Sequence, residues 1–306
     1  MIKGIEQLSL GIFISSAGSA RRSFLAKAIF FVSIIFVIFS VVAPFLWMVI
    51  SSISPQTELS AKPPHWIPNT PTLFRYQALF FKASGAQNLL PAGVEKFLRG
   101  LTNSLMVSSI TTVVCVVVGS MAAYALSRLT VPGRKQFLFG ILGSQMLPVF
   151  VIIIPLNLMM QQYKLIDTRH GLILLYSGFL LPTVIWIMHG YFLTLPRELE
   201  EAAMIDGCSR LSAFWQVIVP LSGPGVVAVS AFAFLSAWNE FFMALIFTAS
   251  NAKTITVVVT EFSSQFGTDY GLMATGGVIG SIPPLLLAFL LQKYIVAGLT
   301  AGAVKG

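Results

Sequence analysis

Residues whose side chains do chemistry are scarce in this chain and do not form a catalytic set. The histidines His65, His170 and His189 are far apart and lack metal-site spacing, so each is interpreted as an ordinary loop or helix-end residue. No stretch matches the phosphate loop G-x-x-x-x-G-K-[ST], so no ATP-binding loop of that kind is predicted. Two polar features are informative about function, namely the stretch 196–220 and the carboxylate of Glu240.

The stretch 196–220 is a polar island between two long apolar runs. Glutamates near its start favour the positive end of a helix dipole, Gly207 stands where a helix must stop, and Ser209 is suited to cap a second helix. Ala202 and Ala203 are small, so another surface can approach the backbone closely. The pattern predicts a helix–turn–helix hairpin that docks a partner, and the alternative is an amphipathic connector between two helices. The four acidic residues here, of eleven in the chain, are Glu198, Glu200, Glu201 and Asp206.

Glu240 is the only acidic residue that the sequence places inside an apolar span. A carboxylate within a membrane is energetically costly and is a functional-site hypothesis by default. Its predicted partner is Asn239 or a group on another subunit. Two interpretations are open, namely contact with a ligand in the membrane, or a hydrogen bond between helices that holds two subunits together.

The composition identifies an integral membrane protein. Hydrophobic residues make up 56% of the 306 residues and charged residues 10%, with a mean hydropathy of +0.85, whereas soluble domains carry about a quarter charged residues. The net charge of +8 does not indicate nucleic-acid binding, because the basic residues are scattered around apolar runs instead of clustering on one face. Cys115 and Cys208 predict neither a disulfide framework nor a metal site.

The apolar runs predict an all-α membrane fold of six transmembrane helices. Residues 1–27 are interpreted as a cytoplasmic segment rather than a signal peptide, because the apolar run that follows is too long. Residues 54–100 are proline-rich and predict an outer loop that folds as a cap, since their aromatic residues are too apolar for disorder. The membrane domain is 28–306, with a polar loop at 194–221 and a tail at 297–306. The predicted spans lie near residues 28–53, 101–126, 137–160, 171–193, 222–248 and 271–296.

The distribution of basic residues predicts that both termini face the cytoplasm. Eleven lysines and arginines then lie on the cytoplasmic side and eight lie outside, five of them in the loop 54–100. This orientation puts the polar island 196–220 in the cytoplasm.

The polar island carries a spaced pattern that resembles the EAA loop of ATP-binding-cassette importer permeases. Glu201-Ala202-Ala203 is followed after three residues by Gly207 and, after nine more, by Val217-x-Val219-Pro220. The family pattern ends Ile-x-Leu-Pro, and the two valines keep its aliphatic character.

From about residue 50 to the last residue, the chain resembles the permeases of carbohydrate importers, specifically the maltose-system G component. The loop near Pro63 resembles the family's outer-loop entry, and the end of the chain resembles the family's terminus. The stretches that carry this resemblance are Pro63 to Pro68, Asn103-Ser104-Leu105, Ala122 to Arg128, Met146-x-Pro148, Ile154-Pro155-Leu156, Asp167-Thr168, Gly190-Tyr191-Phe192, Trp238-Asn239-Glu240-Phe241 and Gly298 to Gly306.

The resemblance implies one subunit of a heteromeric importer in a bacterial or archaeal inner membrane. Such a chain pairs with a homologous second permease subunit, two ATPase subunits dock below, and an extracytoplasmic solute-binding protein delivers the substrate. No cofactor is then expected on this chain, which is not an enzyme, and ATP and Mg are expected on the partner ATPase. The positions that the resemblance assigns to ATPase coupling are Glu198, Glu201, Ala202, Ala203, Asp206, Gly207 and Pro220. The tail positions implied to contact the ATPase are Gly302, Ala303, Val304, Lys305 and Gly306.

A sugar site in such a permease needs aromatic platforms for apolar ring faces and hydrogen-bonding groups for hydroxyls. Aromatic residues in a membrane bundle also serve packing or face lipid, so a purely structural interpretation stands beside a substrate pathway. The candidate pathway residues at mid-membrane are Phe234, Trp238, Asn239, Glu240, Phe241 and Phe242.

The predicted function is therefore the permease subunit of a binding-protein-dependent, ATP-driven importer of a sugar, oligosaccharide or polyol. Glycerol phosphate or another non-sugar solute is an alternative, because these permeases resemble one another closely. An ion-coupled secondary transporter would need membrane-embedded coupling residues and often has repeated halves, but Glu240 is the only embedded acid and no clear repeat is visible. A membrane enzyme would need a catalytic cluster at one interface, and the sequence has none.

Overall fold

The computed structural model of the chain is built almost entirely from helices. It describes residues 3–63, 65–81, 94–264 and 267–301, with side chains from residue 27 to residue 292 except 264 and 267. The helices are α1 (Lys3–Ile53), α2 (Gln56–Leu59), α3 (Phe74–Phe80), α4 (Phe97–Arg128), α5 (Arg134–Ser144), α6 (Val149–Gln162), α7 (Arg169–Thr194), α8 (Glu198–Ile205), α9 (Arg210–Ala213), α10 (Val219–Leu221), α11 (Gly223–Trp238), α12 (Phe242–Phe247), α13 (Ile255–Thr260) and α14 (Tyr270–Ala301). A 3-10 turn at Val94–Lys96 precedes α4, and a π-helical segment at Phe214–Ile218 joins α9 to α10. A short antiparallel ladder pairs β1 (Ser263–Ser264) with β2 (Gly267–Thr268).

Four helices within the described residues are long and apolar enough to cross a membrane. They carry the spans predicted at 28–53, 101–126, 171–193 and 271–296. Two pairs of shorter helices pass the same test only when each bent pair counts as one span, which brings the number to six. The four apolar stretches are Lys27–Ile53, Val94–Arg128, Arg169–Thr194 and Tyr270–Gln292.

Two of the predicted spans are not single helices. The span predicted at 137–160 breaks between α5 and α6, which meet at 91°, because Pro148 lacks an N–H and adopts an extended conformation. The span predicted at 222–248 breaks after Trp238, and α12 starts as a separate helix. At its start, α11 makes an angle of 82° with the preceding helical segment 210–221. Each of these predicted spans therefore consists of bent pieces, since an apolar run specifies burial or lipid contact but not where the backbone turns.

The helices pack around the pair α4 and α7. Gly119 permits this close approach, because a Cβ at that position would lie only 2.5 Å from Val184 Cγ1. A buried cluster extends along the pair to α11 and to the π-helical segment, so the membrane helices and the polar island share one core. Its members are Cys115, Ala123, Tyr124, Val184, Met188, Phe192, Phe214, Ile218, Val229 and Ala233.

Polar contacts fix the first part of the predicted outer loop, around Ser54 and Arg75. Arg75 is buried, and its Nη1 donates to the Ser54 carbonyl oxygen at 2.5 Å. Its Nε donates to Asp269 Oδ1 at 3.2 Å, and the same carboxylate oxygen accepts from Leu272 N at 2.9 Å. The loop is therefore attached to the start of α14.

A second polar contact joins the loop before α7 to the loop before α13. Asp167 Oδ1 accepts hydrogen bonds from the backbone N–H groups of residues 249–252 at 3.0 to 3.1 Å. Asn103 of α4 donates from Nδ2 to the carbonyl oxygens of Asn251 and Lys253, both at 2.9 Å. We call Asp167 and residues 249–252 the Asp167 clasp.

Candidate functional site

The polar island folds as two short helices, α8 and α9, joined by a turn. α8 stops before Gly207, whose φ of +92° is a left-handed conformation that glycine adopts without a Cβ penalty. The Cys208 N–H donates to the Ala203 carbonyl oxygen at 3.0 Å and closes the helix end. Ser209 Oγ accepts from Ser212 N at 3.2 Å and caps α9. The turn and the cap lie where the sequence predicts them, and we call residues 198–213 the hairpin.

One face of the hairpin is exposed and mixes carboxylates with apolar side chains. Ile205 is 86% exposed and Leu211 is 58% exposed, and neither was predicted as a docking residue. Ala203 is buried, so its small size serves the packing of α8 on its own chain. Exposed apolar groups rimmed by charge are typical of a protein-binding surface. The predicted coupling residues that are exposed are Glu198, Glu201, Ala202, Asp206, Gly207 and Pro220.

Glu200 is the acid of the hairpin to which the sequence assigned no site, and it is buried. Its Oε1 accepts a hydrogen bond of 2.5 Å from the Tyr124 hydroxyl, and its Oε2 lies 3.7 Å from Arg128 Nε. Arg210 Nη1 lies 3.9 Å from Glu200 Oε1. Tyr124 and Arg128 are four residues apart on one face of α4, and this spacing is the signal that could have marked them as partners of an acid.

A cavity of about 620 Å³ lies between α1, α11, α13 and α14. Phe45 and Met48 of α1 and Trp238, Asn239 and Phe241 at the end of α11 contribute to its lining. A mostly apolar cavity with a few convergent polar groups is typical of a small-molecule site. The polar groups come from Asn239, Thr256, Thr260 and Ser281.

Two of the other predicted pathway residues have packing contacts instead. Phe234 stacks on Trp238 with ring centroids 5.7 Å apart, and Trp238 Nε1 donates to the Gly280 carbonyl oxygen at 3.1 Å. Phe242 packs against Phe150 with ring centroids 4.5 Å apart. Three of the six predicted pathway residues therefore line the cavity, and Phe234 and Phe242 are outside its lining.

Glu240 is bound by the backbone of its own chain and not by Asn239, which was one of its two predicted partners. Its carboxylate accepts from Met243 N at 2.9 Å and from Ala244 N at 3.1 Å, in the first turn of α12. Thr256 Oγ1 donates to the Glu240 carbonyl oxygen at 3.0 Å. Among the described residues the carboxylate thus caps α12, where negative charge meets the positive end of a helix, and does not pair with Asn239.

Two other predictions concern metals and the tail. Across the part of the chain that the structure describes, no group of three His, Cys, Asp or Glu side chains is arranged to bind a metal ion. The predicted ATPase contact at Gly302, Ala303, Val304, Lys305 and Gly306 lies outside the described residues.

The apolar helices, the exposed hairpin and the cavity are features of a membrane transport component, and the family comparison agrees. Residues 115–301 match the family described as the binding-protein-dependent transport system inner membrane component. The chain belongs to this family. It is therefore a multi-pass component of a transport system in the inner membrane and not an enzyme.

Curated relatives match over most of their length. The trehalose transport system permease protein of Mycobacterium tuberculosis is 38% identical over 86% of this chain and 92% of that protein. The trehalose/maltose transport system permease protein of Thermococcus litoralis is 33% identical over 94% of this chain and 99% of that protein. The diacetylchitobiose uptake system permease protein of Streptomyces coelicolor is 30% identical over 94% of this chain and 100% of that protein.

A solved structure has the same fold. It is a chain of a bacterial ABC transporter involved in the import of the acidic polysaccharide alginate, with a TM-score of 0.71 and 21% identity over 86% of this chain and 94% of that chain. A chain of a methionine ABC transporter in an inward-facing conformation matches with a TM-score of 0.53 and 16% identity, over 70% of this chain and 99% of that chain. At these identities the likeness establishes a common fold.

Proposed function

We propose that this chain is one of two permease subunits of a binding-protein-dependent, ATP-driven importer of a sugar, an oligosaccharide or a polyol. Its family and the trehalose, trehalose/maltose and diacetylchitobiose permeases among its relatives support this function. The other components are a homologous permease subunit, two ATPase subunits that bind ATP and Mg²⁺, and an extracytoplasmic solute-binding protein.

The observation that carries this proposal is the exposed face of the hairpin. Glu201 and Ala202 are exposed on α8, and Ile205 projects an apolar side chain from the same short helix. The small side chain of Ala202 lets a concave partner surface approach the helix backbone, while the carboxylate offers an ion pair at its edge. This surface fits a cleft of the ATPase.

The proposed topology has six spans and places both termini and the hairpin in the cytoplasm. α1, α4, α7 and α14 each cross once, α5 with α6 supplies one further crossing, and α11 with its flanking segments supplies the other. Residues 1–27 precede the permease domain 28–306, the loop 54–100 lies outside, and the coupling loop is 194–221. The tail 297–306 extends into the cytoplasm, and its last five residues contact the ATPase. The excess of basic residues on the cytoplasmic side supports this orientation.

Transport follows from movement of the hairpin with the ATPase. Closure of the ATPase dimer displaces α8, and the displacement switches the helices between inward-facing and outward-facing states, a rigid-body transition of packed elements. The closed ATPase must therefore bind the two states with different affinities, because a ligand shifts an equilibrium only by its differential affinity.

The cavity is the proposed contribution of this chain to the substrate pathway. Phe241 offers an apolar face to a sugar ring, and Asn239, Thr256 and Ser281 offer hydrogen-bonding groups to its hydroxyls. Glu240 shapes this site indirectly, by fixing the turn between α11 and α12.

Copurification tests the proposed function. The chain is expressed in its native operon with an affinity tag on the amino terminus, extracted in mild detergent, and the copurifying proteins are identified by mass spectrometry. We expect a second permease and an ATPase, and we expect a sugar with its binding protein to stimulate ATP hydrolysis by the complex. Purification of the chain alone, or as a homo-oligomer that still moves solute, would contradict the proposal.

A further inference from the structure

The three glutamates of α8 have different environments. Glu198 and Glu201 are exposed, whereas Glu200 is only 5% exposed and lies between α8 and α4. Its carboxylate accepts the short Tyr124 hydrogen bond and lies within ion-pair distance of Arg128. A buried carboxylate is retained at a protein interface only when hydrogen bonds and opposite charge compensate its desolvation.

Arg128 connects the same carboxylate to the end of α7. Its side chain is 4% exposed, and its Nη2 donates to the carbonyl oxygens of Phe192 at 2.9 Å and Leu195 at 2.8 Å. Carbonyl groups at a helix C-terminus lack partners within the helix, so a guanidinium there satisfies them and complements the helix dipole. α4, α7 and α8 therefore meet at one guanidinium–carboxylate pair.

Tyr124 also connects the second half of the hairpin region to α4. Its ring packs on Phe214 with centroids 4.8 Å apart and meets Phe192 edge-on with centroids 6.4 Å apart. Phe214 begins the π-helical segment that follows α9 and is buried. The hairpin is thus attached on both of its sides, through Glu200 and through Phe214.

We propose that Glu200 is a positioning residue that fixes the hairpin to α4 and α7, so that a displacement of the hairpin moves these helices with it. This rests on the proposed function, because the displacing force comes from the ATPase. The exposed residues Glu201 and Ala202 make the contact with the ATPase, and Glu200 transmits its movement. We call Glu200, Tyr124 and Arg128 the transmission cluster.

The amide variant Glu200→Gln tests this role in the complete, reconstituted importer. The amide keeps the volume of the side chain and an acceptor for Tyr124, but it removes the negative charge that faces Arg128 and Arg210. We expect the variant complex to assemble and hydrolyse ATP, while solute uptake per ATP hydrolysed falls by at least about fivefold, the size of a modest coupling energy. A purely structural residue would change the yield of complex but not this ratio.

Two further variants complete the test. Tyr124→Phe removes only the hydroxyl that donates to Glu200, and we expect it to lower the same ratio while the ring packing persists. Glu201→Gln makes the same chemical change as Glu200→Gln at an exposed position, and we expect it to weaken ATPase association instead.

The outcomes separate this inference from the proposed function. A lower ratio of uptake to hydrolysis in Glu200→Gln and Tyr124→Phe supports the role of the transmission cluster. An unchanged ratio of uptake to hydrolysis in Tyr124→Phe overturns this role. The Tyr124→Phe result also decides the question if the Glu200→Gln protein does not accumulate. If the wild-type chain copurifies with no ATPase, the proposed function fails, whichever result the variants give.

Discussion

At the residue scale, the Asp167 carboxylate holds the Asp167 clasp together by accepting hydrogen bonds from residues 249–252. Besides the four backbone N–H groups, its Oδ2 accepts from Ser250 Oγ at 3.3 Å and from Asn251 Nδ2 at 3.1 Å. Partial burial acts to raise the pKa of this carboxyl, but the backbone N–H groups of residues 249–252 outweigh it and hold the pKa well below its usual value. The charged form is therefore the one that stabilises the fold.

We expect Asp167→Asn to lower the free energy of unfolding by about 2 kcal/mol, because an amide NH₂ replaces an oxygen that faces N–H donors. The folded-state pKa is depressed, so the stabilisation is complete above the ordinary aspartate pKa of about 4 and is lost as the pH falls below it. Thermal unfolding in detergent should show a constant gap to wild type near neutral pH that narrows in acid.

A matched control for this variant is Glu95→Gln, which removes one exposed carboxylate from the 3-10 turn before α4. It should leave the unfolding temperature unchanged. A gap for Asp167→Asn that stays constant into strong acid would contradict the role of the charge. Asparagine tolerates the left-handed φ of +55° at residue 167, so backbone strain does not complicate the comparison.

Single residues were predictable from the sequence where their role is local. Gly207 and Ser209 lie at the turn and at the cap because left-handed geometry and N-capping depend on neighbouring residues only. The partners of Glu240 were not predictable, since they depend on a turn in the middle of an apolar run. Glu200 has the same sequence context as Glu198 and Glu201, and only the packing of α8 on α4 distinguishes it.

At the element scale, the pair α4 and α7 depends on small side chains at its contact. Gly119 leaves no room for a methyl group beside Val184, which is fully buried. By contrast, Gly178 on α7 has no neighbouring atom within 4 Å of the position of a Cβ. Gly178 lies outside the close contact and is therefore a matched control for Gly119.

We expect Gly119→Ala to destabilise the chain relative to Gly178→Ala by about 2 kcal/mol, the usual cost of overpacking a filled interface. Gly178→Ala should be neutral or slightly stabilising, because alanine favours a helix by about 1 kcal/mol over glycine. Thermal unfolding of both variants in detergent measures the difference. Equal unfolding temperatures would show that α4 and α7 are not closely packed at Gly119.

Apolar length predicted which segments are helical, including α1, α4, α7 and α14. It did not predict the breaks, because Pro148 and the cap at Glu240 redirect the chain without interrupting its hydrophobicity. Proline is common inside other helices here, such as Pro44 and Pro182, so a proline alone does not mark a break.

At the scale of the whole molecule, the hairpin, the helix pair and the cavity form one connected unit. The core that includes Phe192 and Phe214 joins α7 to the segment after the hairpin, and Trp238 connects α11 to α14 through Gly280. A movement of the hairpin can therefore reach the cavity through packed elements. The class of the protein was predictable because the EAA pattern has fixed spacing over twenty residues, whereas the cavity depends on helices distant in sequence.

The most direct test of the importer account is ATP-driven uptake of a labelled sugar by the reconstituted complex, comparing wild type with Ala202→Arg. Arginine on the exposed face of α8 should block entry into the ATPase cleft, so we expect uptake to fall by at least about tenfold, within the range of coupling between protein sites. Thr57→Arg adds the same charge to an exposed position of α2 and should transport normally. Undiminished uptake by Ala202→Arg, or uptake by wild type that needs an ion gradient instead of ATP, would contradict the account.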